Sequence, residues 1–345
     1  MPLPGEGRGM RVLIVKLSSF GDVVQTLPTL HDMRQALPLA TFDWVVEEAF
    51  APLLRAHVPR LGRVIPLAQR RWRKTPFSAS VRAEKAAFTQ TLQAESYDVV
   101  IDFQGLIKSA LIARQARLTP GGWRATYGNG SEDCGYEWPV RFLVQRPQPM
   151  PPRIHSLQRY RRLAALALGY PPREDGIAYD ELQVTPVQPD GSVMLVHGTT
   201  RVENEWPLAH WVQIGQHLVA QGLPVSVPQA NAYEENFAKQ LCQAIGPQAH
   251  MLPRMGLAAL AAQMAGCVGV VGVDSGLSHL AVALNLPHVQ IFSQPRIWRA
   301  GPLGSSYQVA VGGARAPDVD TVWQAWQAVW SVFHNIQHEP QAIPA

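Results

Sequence analysis

Cysteine is scarce in this chain. Cys134, Cys242 and Cys267 are spread over 345 positions without a C-x-x-C pair, which excludes a disulfide framework and a structural zinc site and leaves no basis for thiol redox chemistry. Long apolar runs are also missing. Nothing approaches the roughly 18 to 20 residues that cross a bilayer. The opening MPLPGEGRGM lacks the apolar centre of a signal peptide, so a cytoplasmic location is expected. Charged residues make up 16% against 47% hydrophobic, the balance of an ordinary globular chain rather than a disordered one. The length favours two domains, each able to bury its own core. Acidic residues vanish locally: Ala51 to Ala83 holds no Asp or Glu but contains Arg55, Arg60, Arg63, Arg70, Arg71, Arg73, Lys74 and Arg82. Such a span expects a polyanion or an anionic surface.

What is present is a repeated rhythm of short apolar runs and helical stretches. The runs are RVLIV (11–15), FDWVV (42–46), DVVIDF (98–103), VMLVHG (193–198), LPVSV (223–227), GCVGVVGV (266–273) and HVQIF (288–292). Strands that are apolar throughout, separated by helices, predict parallel sheets covered on both faces. The rhythm occurs twice, either side of a Pro- and Arg-rich middle that includes QRPQPMPPR and YPPREDG. The expected organisation is therefore an α/β protein of two doubly wound domains, 10–180 and 181–317, facing a central cleft. An amphipathic helix near 318–338 is expected to close the chain and pack back towards the first domain. The first nine residues and the tail from 338 are expected to be disordered, and no internal repeat is visible beyond the shared layout. Ligands of such sheets bind beyond the carboxyl ends of the strands, so candidates are sought just after the runs.

Three clusters stand there. In KLSSFGD, Lys16, Ser18, Ser19, Gly21 and Asp22 crowd one strand-to-helix turn. Asp22 reads either as a helix N-cap, with Gln25 completing a capping box, or as a general base. In VDSGLSHL, Asp274, Ser275, Gly276, Leu277 and His279 follow a strand and open a helix, a natural anion site. Asp274 can equally be the cap there, and His279 a core histidine; the glycine spacing is not that of a dinucleotide fold. In HGTTRVEN, Thr199, Thr200 and Arg201 offer hydroxyls and a guanidinium to a phosphate, unless this is an ordinary polar turn. Two phosphate turns in one domain suggest a diphosphate. Glu47, Glu48, Asp102 and Lys108 add a polar rim to the first domain.

The strings RVLIVKLSSFGDVVQTLPTL, FDWVVEEAF, RVIPLAQRRWRK, YDVVIDFQGLIKSA, HGTTR, WPLAHW, LPRMGLAALA and VDSGLSHL, in order from Arg11 to about Gly304, resemble the heptosyltransferase I branch of the ADP-heptose glycosyltransferases, family 9, with a GT-B fold. The resemblance implies metal-independent, inverting transfer of L-glycero-D-manno-heptose from ADP-heptose to the first Kdo of Kdo2-lipid A, with no cofactor. It aligns Asp22 with the proposed base. Thr199, Thr200, Arg201, Asn204, Glu234, Met255, Asp274, Ser275, Gly276, Leu277 and His279 fall on donor positions. Ser18, Ser19, Gly21, Arg70, Arg71, Arg73 and Lys74 fall on the acceptor side. A monomer in peripheral contact with the cytoplasmic face of the inner membrane is implied. The rivals are a sister transferase with another inner-core acceptor and a catalytically weak nucleotide-sugar or lipid A binding protein. Nucleic acid is disfavoured because the basic span lacks an aromatic stacking platform beyond Trp72 and sits in a cleft-forming α/β domain. The chain departs from the family pattern at Asn204, where a lysine is usual, in the loop SQPRIWRAGPLG, and in VPQANAYEEN, which lacks a Trp-Gly pair.

Overall fold

A computed structural model describes residues 9–187 and 189–338. Of the ends expected to be disordered, 1–8 and 339–345 lie outside the described residues. The chain divides into two compact units, Met1–Gln183 and Val184–Ala345.

The first unit holds six strands: β1 (Arg11–Val15), β2 (Thr41–Glu47), β3 (Val64–Leu67), β4 (Ser96–Asp102), β5 (Arg117–Tyr127) and β6 (Arg146–Gln148). They lie in the order β3-β2-β1-β4-β5-β6, and every pairing is parallel. β1 is central, and Val12 to Val15 are fully buried, which is why the run carries no polar alternation. The second unit holds β7 (Val193–Val196), β8 (Val225–Val227), β9 (Ala249–Met251), β10 (Gly269–Val273), β11 (His288–Phe292) and β12 (Gln308–Gly312). Their order is β12-β11-β10-β7-β8-β9, again all parallel. Counted from its own first strand, each sheet has the same order, the doubly wound arrangement 3-2-1-4-5-6.

The closing helix runs Val319–His338. Its Val319, Val322, Trp326 and Val329 are buried in the second unit's core with Trp206, Trp211 and Val271. The indole of Trp326 lies directly on Gly269: a β-carbon there would sit 2.5 Å from Trp326 Cη2, so the strand needs glycine for the helix to approach.

Candidate active site

In the first unit the carboxyl end of β1 leads through Lys16 to a turn that opens the helix Phe20–Gln25. Ser19, not Asp22, is the N-cap, and Asp22 stands at the third helical position. The expectation that Asp22 is itself the cap is therefore corrected. Ser19 has the extended backbone of a cap, and Asp22 reaches back to accept its N–H, as the acidic partner in a capping box does. Asp22 Oδ2 accepts from Ser19 N at 2.9 Å and Ser19 Oγ at 2.8 Å, while Oδ1 accepts from Tyr160 Oη at 2.6 Å. Lys16, buried, donates from Nζ to Tyr160 Oη at 3.1 Å and to the Phe103 carbonyl at 3.3 Å, and its Nζ lies 3.9 Å from Asp22 Oδ1.

Burial is the largest single influence on Asp22 and pushes its pKa up. Lys16, Tyr160 and Ser19 together outweigh it and hold the carboxyl well below the usual carboxylate range. The side chain is 22% exposed, so the anion keeps an open side. A carboxylate has about four lone-pair positions. Three are taken here, two on Oδ2 and one on Oδ1, which leaves one on Oδ1 for a substrate proton. Burial and the neighbouring Asp22 charge raise the Tyr160 phenol far above its ordinary pKa, so it stays a donor.

Tyr160 gave no signal in the sequence. It lies in the helix Ser156–Leu168, 138 positions after its partner. Tyr160→Phe removes the donor to Asp22 and one acceptor from Lys16. The variant is expected to shift the acid limb of the pH–rate profile upward, because the carboxylate loses a stabilising hydrogen bond. Its kcat should fall by about tenfold with KM little changed; a full pH profile against wild type checks this.

The other candidates of this unit line the same edge. After β4, Asp102 is buried and accepts from Gln104 N, Gly105 N and Ser109 Oγ. Burial dominates and pushes it up to about 6 against those hydrogen bonds. Asp102 thus shapes a turn whose Gln104 side chain accepts from Ser18 N at 3.2 Å. After β2 and β3 come Glu47, Glu48 and the basic residues. Arg71 is paired with both Glu48 and Glu84, which flank the acid-free span. The Arg70 guanidinium lies over the Phe50 ring at 5.3 Å, and Arg73 and Lys74 are exposed. Trp72 is buried against Phe88, its Nε1 donating to Glu84, so no stacking platform faces solvent from it.

In the second unit the donor candidates follow four adjacent strands. Asp274–His279 come after β10, His197–Asn204 after β7, Glu234 after β8 and Met255 after β9. At the usual strand spacing this edge is roughly 14 Å long. The first two turns are tied together. Asn204 Nδ2 donates to the Asp274 carbonyl at 3.2 Å, and Thr199 Oγ1 donates to it at 3.4 Å. Asp274 Oδ1 accepts from Gln290 Nε2 at 3.3 Å and lies 3.8 Å from His279 Nε2. The cap of the helix Gly276–Ala283 is Ser275, not Asp274, so the alternative reading of Asp274 as cap is set aside; its carboxylate turns to Gln290 and His279 instead. Ser278 donates to the Val273 carbonyl at 2.6 Å. Thr200 and Arg201 are exposed and Leu277 is half-buried.

Glu234 caps its own helix with Asn231 and accepts from Ala230 N. It also stands against Gly198, whose missing β-carbon would lie 3.1 Å from Glu234 Cδ. Along this edge four buried polar atoms have no partner among the described residues: His197 Nε2, Gln229 Oε1, Ser275 Oγ and Ser293 Oγ. Buried polar groups are normally satisfied, so a row of orphans at strand ends marks where a polar ligand completes the set. Among the described residues no group of three or more His, Cys, Asp or Glu is placed to hold a metal.

Two histidines of this unit titrate out of range. His197, stacked on Phe237 at 4.5 Å, and His288, whose Nδ1 donates to the Val270 carbonyl, are both pushed down to about 4, chiefly by burial. Because the unfolded chain protonates near 6.5 and the folded one only near 4, their contribution is intact above 6.5 and is lost as pH falls towards 4, at roughly 3 kcal/mol each. His288→Asn should make the acid loss between about pH 7.5 and about pH 5 shallower by about 2 kcal/mol, the part of the linkage that falls in that interval, read from urea midpoints.

The family model of glycosyltransferase family 9 (heptosyltransferase) matches residues 85–323. Lipopolysaccharide heptosyltransferase 1 of Escherichia coli K12 is 39% identical over 330 residues, covering 93% of this chain and 98% of the relative. The protein of that name from Pseudomonas aeruginosa is 39% identical over 306 residues, covering 88% of this chain and 84% of the relative. Among solved structures, E. coli heptosyltransferase WaaC with ADP superposes with a TM-score of 0.79 at 35% identity, covering 95% of this chain and 99% of that one. The same enzyme with ADP-2-deoxy-2-fluoro heptose gives 0.76.

Proposed function

This chain belongs to glycosyltransferase family 9, the heptosyltransferases, and on that premise we propose that it moves L-glycero-D-manno-heptose from ADP-heptose to the first Kdo of Kdo2-lipid A. The fold is the GT-B arrangement of two Rossmann-like units, and the activity is ADP-heptose transfer in lipopolysaccharide core synthesis. The observation that carries the reading is the row of unpartnered polar atoms and tied turns on the second unit's carboxyl edge, in a chain similar throughout its length to an enzyme solved with ADP.

Asp22 is the base. As the acceptor hydroxyl oxygen bonds to the anomeric carbon, its proton passes to Asp22 Oδ1. The bond from the anomeric carbon to the phosphate oxygen breaks on the opposite face, and ADP leaves with the electron pair, so the configuration inverts. A carboxylate held ionised by Lys16 and Tyr160 is a weak base at rest, but the proton need move only as the new bond forms. Thr200, Ser275 and the N–H groups at Gly276 receive the diphosphate, Thr199 borders it with its hydroxyl given to the Asp274 carbonyl, and Arg201 supplies the cation. Asn204, spent on Asp274, contributes none. Donors fixed before the reaction stabilise the departing charge. Glu234, Met255, Asp274, Leu277 and His279 border the rest of the donor.

The lipid acceptor is engaged by Ser18, Ser19, Gly21, Arg70, Arg73 and Lys74, with Arg71 held by its two carboxylates, while the protein, a monomer, rests on the cytoplasmic face of the membrane. No helix among the described residues is long and apolar enough to cross one. The test is ADP release from ADP-heptose. It should require Kdo2-lipid A, and release that proceeds equally without the acceptor would overturn the assignment.

A further inference from the structure

Ten large apolar side chains are exposed among the described residues, and four of them sit on two touching segments of the first unit. Trp138 and Phe142, each 68% exposed, occupy a 3-10 turn, Trp138–Phe142, with their rings edge to face at 5.8 Å. Ile107 at 39% and Leu111 at 50% lie one turn apart on the outer face of the helix Ile107–Gln115. The segments are locked together. Glu137 Oε2 accepts from Ile107 N at 2.6 Å, Glu137 N donates to the Gly105 carbonyl at 3.0 Å, and Val140 is fully buried beneath the turn. The aromatic pair is thus presented by a fixed scaffold rather than by a loose loop.

The rim of this face is cationic. Arg114 continues the exposed face of the helix, and the Arg141 guanidinium lies over the Phe142 ring at 5.4 Å. Glu137, the acid that opens the turn, is engaged by the helix N-terminus. The face also runs into the basic span: Lys108, beside Ile107, has Arg70 and Arg73 among its electrostatic neighbours, and after burial their charges are what depress its pKa. Both segments stand at the sheet edge that carries Asp22, for Phe103, four residues before Ile107, accepts from Lys16.

We propose that Ile107, Leu111, Trp138 and Phe142, rimmed by Arg114 and Arg141, insert into the interfacial layer of an anionic lipid bilayer. Aromatic side chains with aliphatic neighbours bury in the headgroup boundary, and adjacent Arg and Lys add attraction to anionic lipid. An anionic bilayer suits this face better than a protein partner, because the apolar side chains are bordered by the exposed cations Arg114 and Arg141 while Glu137 is engaged by the helix N-terminus. The inference rests on the proposed function only in its purpose, which is to bring a lipid-borne acceptor to the edge that holds the base.

The test is flotation of the full chain with phosphatidylcholine vesicles, with and without phosphatidylglycerol and without any acceptor, so that binding is read independently of transfer. Wild type should float with the anionic vesicles. Trp138→Ser/Phe142→Ser should lower the bound fraction by about tenfold or more, and Arg114→Glu/Arg141→Glu should lower it on anionic vesicles alone. Both variants should match wild type in transfer to a deacylated, water-soluble acceptor. The proposal is overturned if wild type does not float, if Trp138→Ser/Phe142→Ser floats equally well, or if wild type sediments as a dimer that this variant dissolves. Absence of transfer to the soluble acceptor by wild type would instead overturn the functional reading and leave the flotation result standing.

Discussion

Asp22→Asn is expected to lower the transfer rate by about 10²- to 10⁴-fold, the range for loss of a positioned general base, while leaving affinity for ADP unchanged. The amide keeps the size of the carboxylate, and its oxygen can still accept from Ser19, so the helix Phe20–Gln25 keeps much of its cap; complete loss of a cap costs about 1 kcal/mol. What it cannot do is accept a proton at Oδ1, or accept on one side from Tyr160 and on the other from Ser19. Lys16, buried beside the site, then faces a neutral partner. Initial rates at saturating donor and acceptor, paired with calorimetric titration of ADP, separate the two effects. Full activity in this variant would remove Asp22 from the mechanism. Weakened ADP binding together with slow turnover would indicate a disturbed fold instead.

Arg161→Met is expected to destabilise the protein by about 3 to 5 kcal/mol, the cost of leaving one member of a buried ion pair without its partner. Arg161 lies on the helix Ser156–Leu168 and Asp32 on the helix Leu27–Ala36. Both are buried, with Arg161 Nε 2.6 Å from Asp32 Oδ2 and Nη2 3.2 Å from Oδ1. Nη2 also donates to the Asp175 carbonyl at 2.8 Å. The pair fixes the helix whose preceding residue, Tyr160, reaches Asp22, so the same variant should slow catalysis under conditions where it remains folded. Urea unfolding followed by tryptophan fluorescence measures the loss. In Arg161→Met/Asp32→Leu no charge is left buried alone, and most of the stability should return. Equal destabilisation in the single and double variants would show that packing, not charge, is at stake.

The seven strands visible in the sequence are central or long enough to be buried on both faces, which makes their residues apolar without interruption. The five that were not visible have physical reasons for hiding. β3 contains Pro66 and β5 contains Pro120, Gly121 and Gly122, residues that weaken any strand pattern. β6 and β9 are three residues long at sheet edges, and β12 is also an edge strand. The sites divide similarly. Turns at strand ends were legible because residue type and strand position coincide, as at Asp22, Thr199 and Ser275. The network around Asp22 was not, since Tyr160 comes from a helix far along the chain. Nor was the fate of individual cations: the acid-free span is acid-free only in sequence, because Glu48 and Glu84 close on Arg71 from either side. At Asn204, where the resemblance leads one to expect a lysine, the structure supplies an amide that binds the Asp274 carbonyl and holds the two candidate donor turns together.

The central claim is the transfer itself, and mass spectrometry of the lipid product tests it most directly. Incubated with ADP-heptose and Kdo2-lipid A, the protein is expected to raise the acceptor mass by one heptose, with Asp22→Asn giving only a trace in the same time. No mass increase, or an increase only on an acceptor that already carries heptose, would contradict the account.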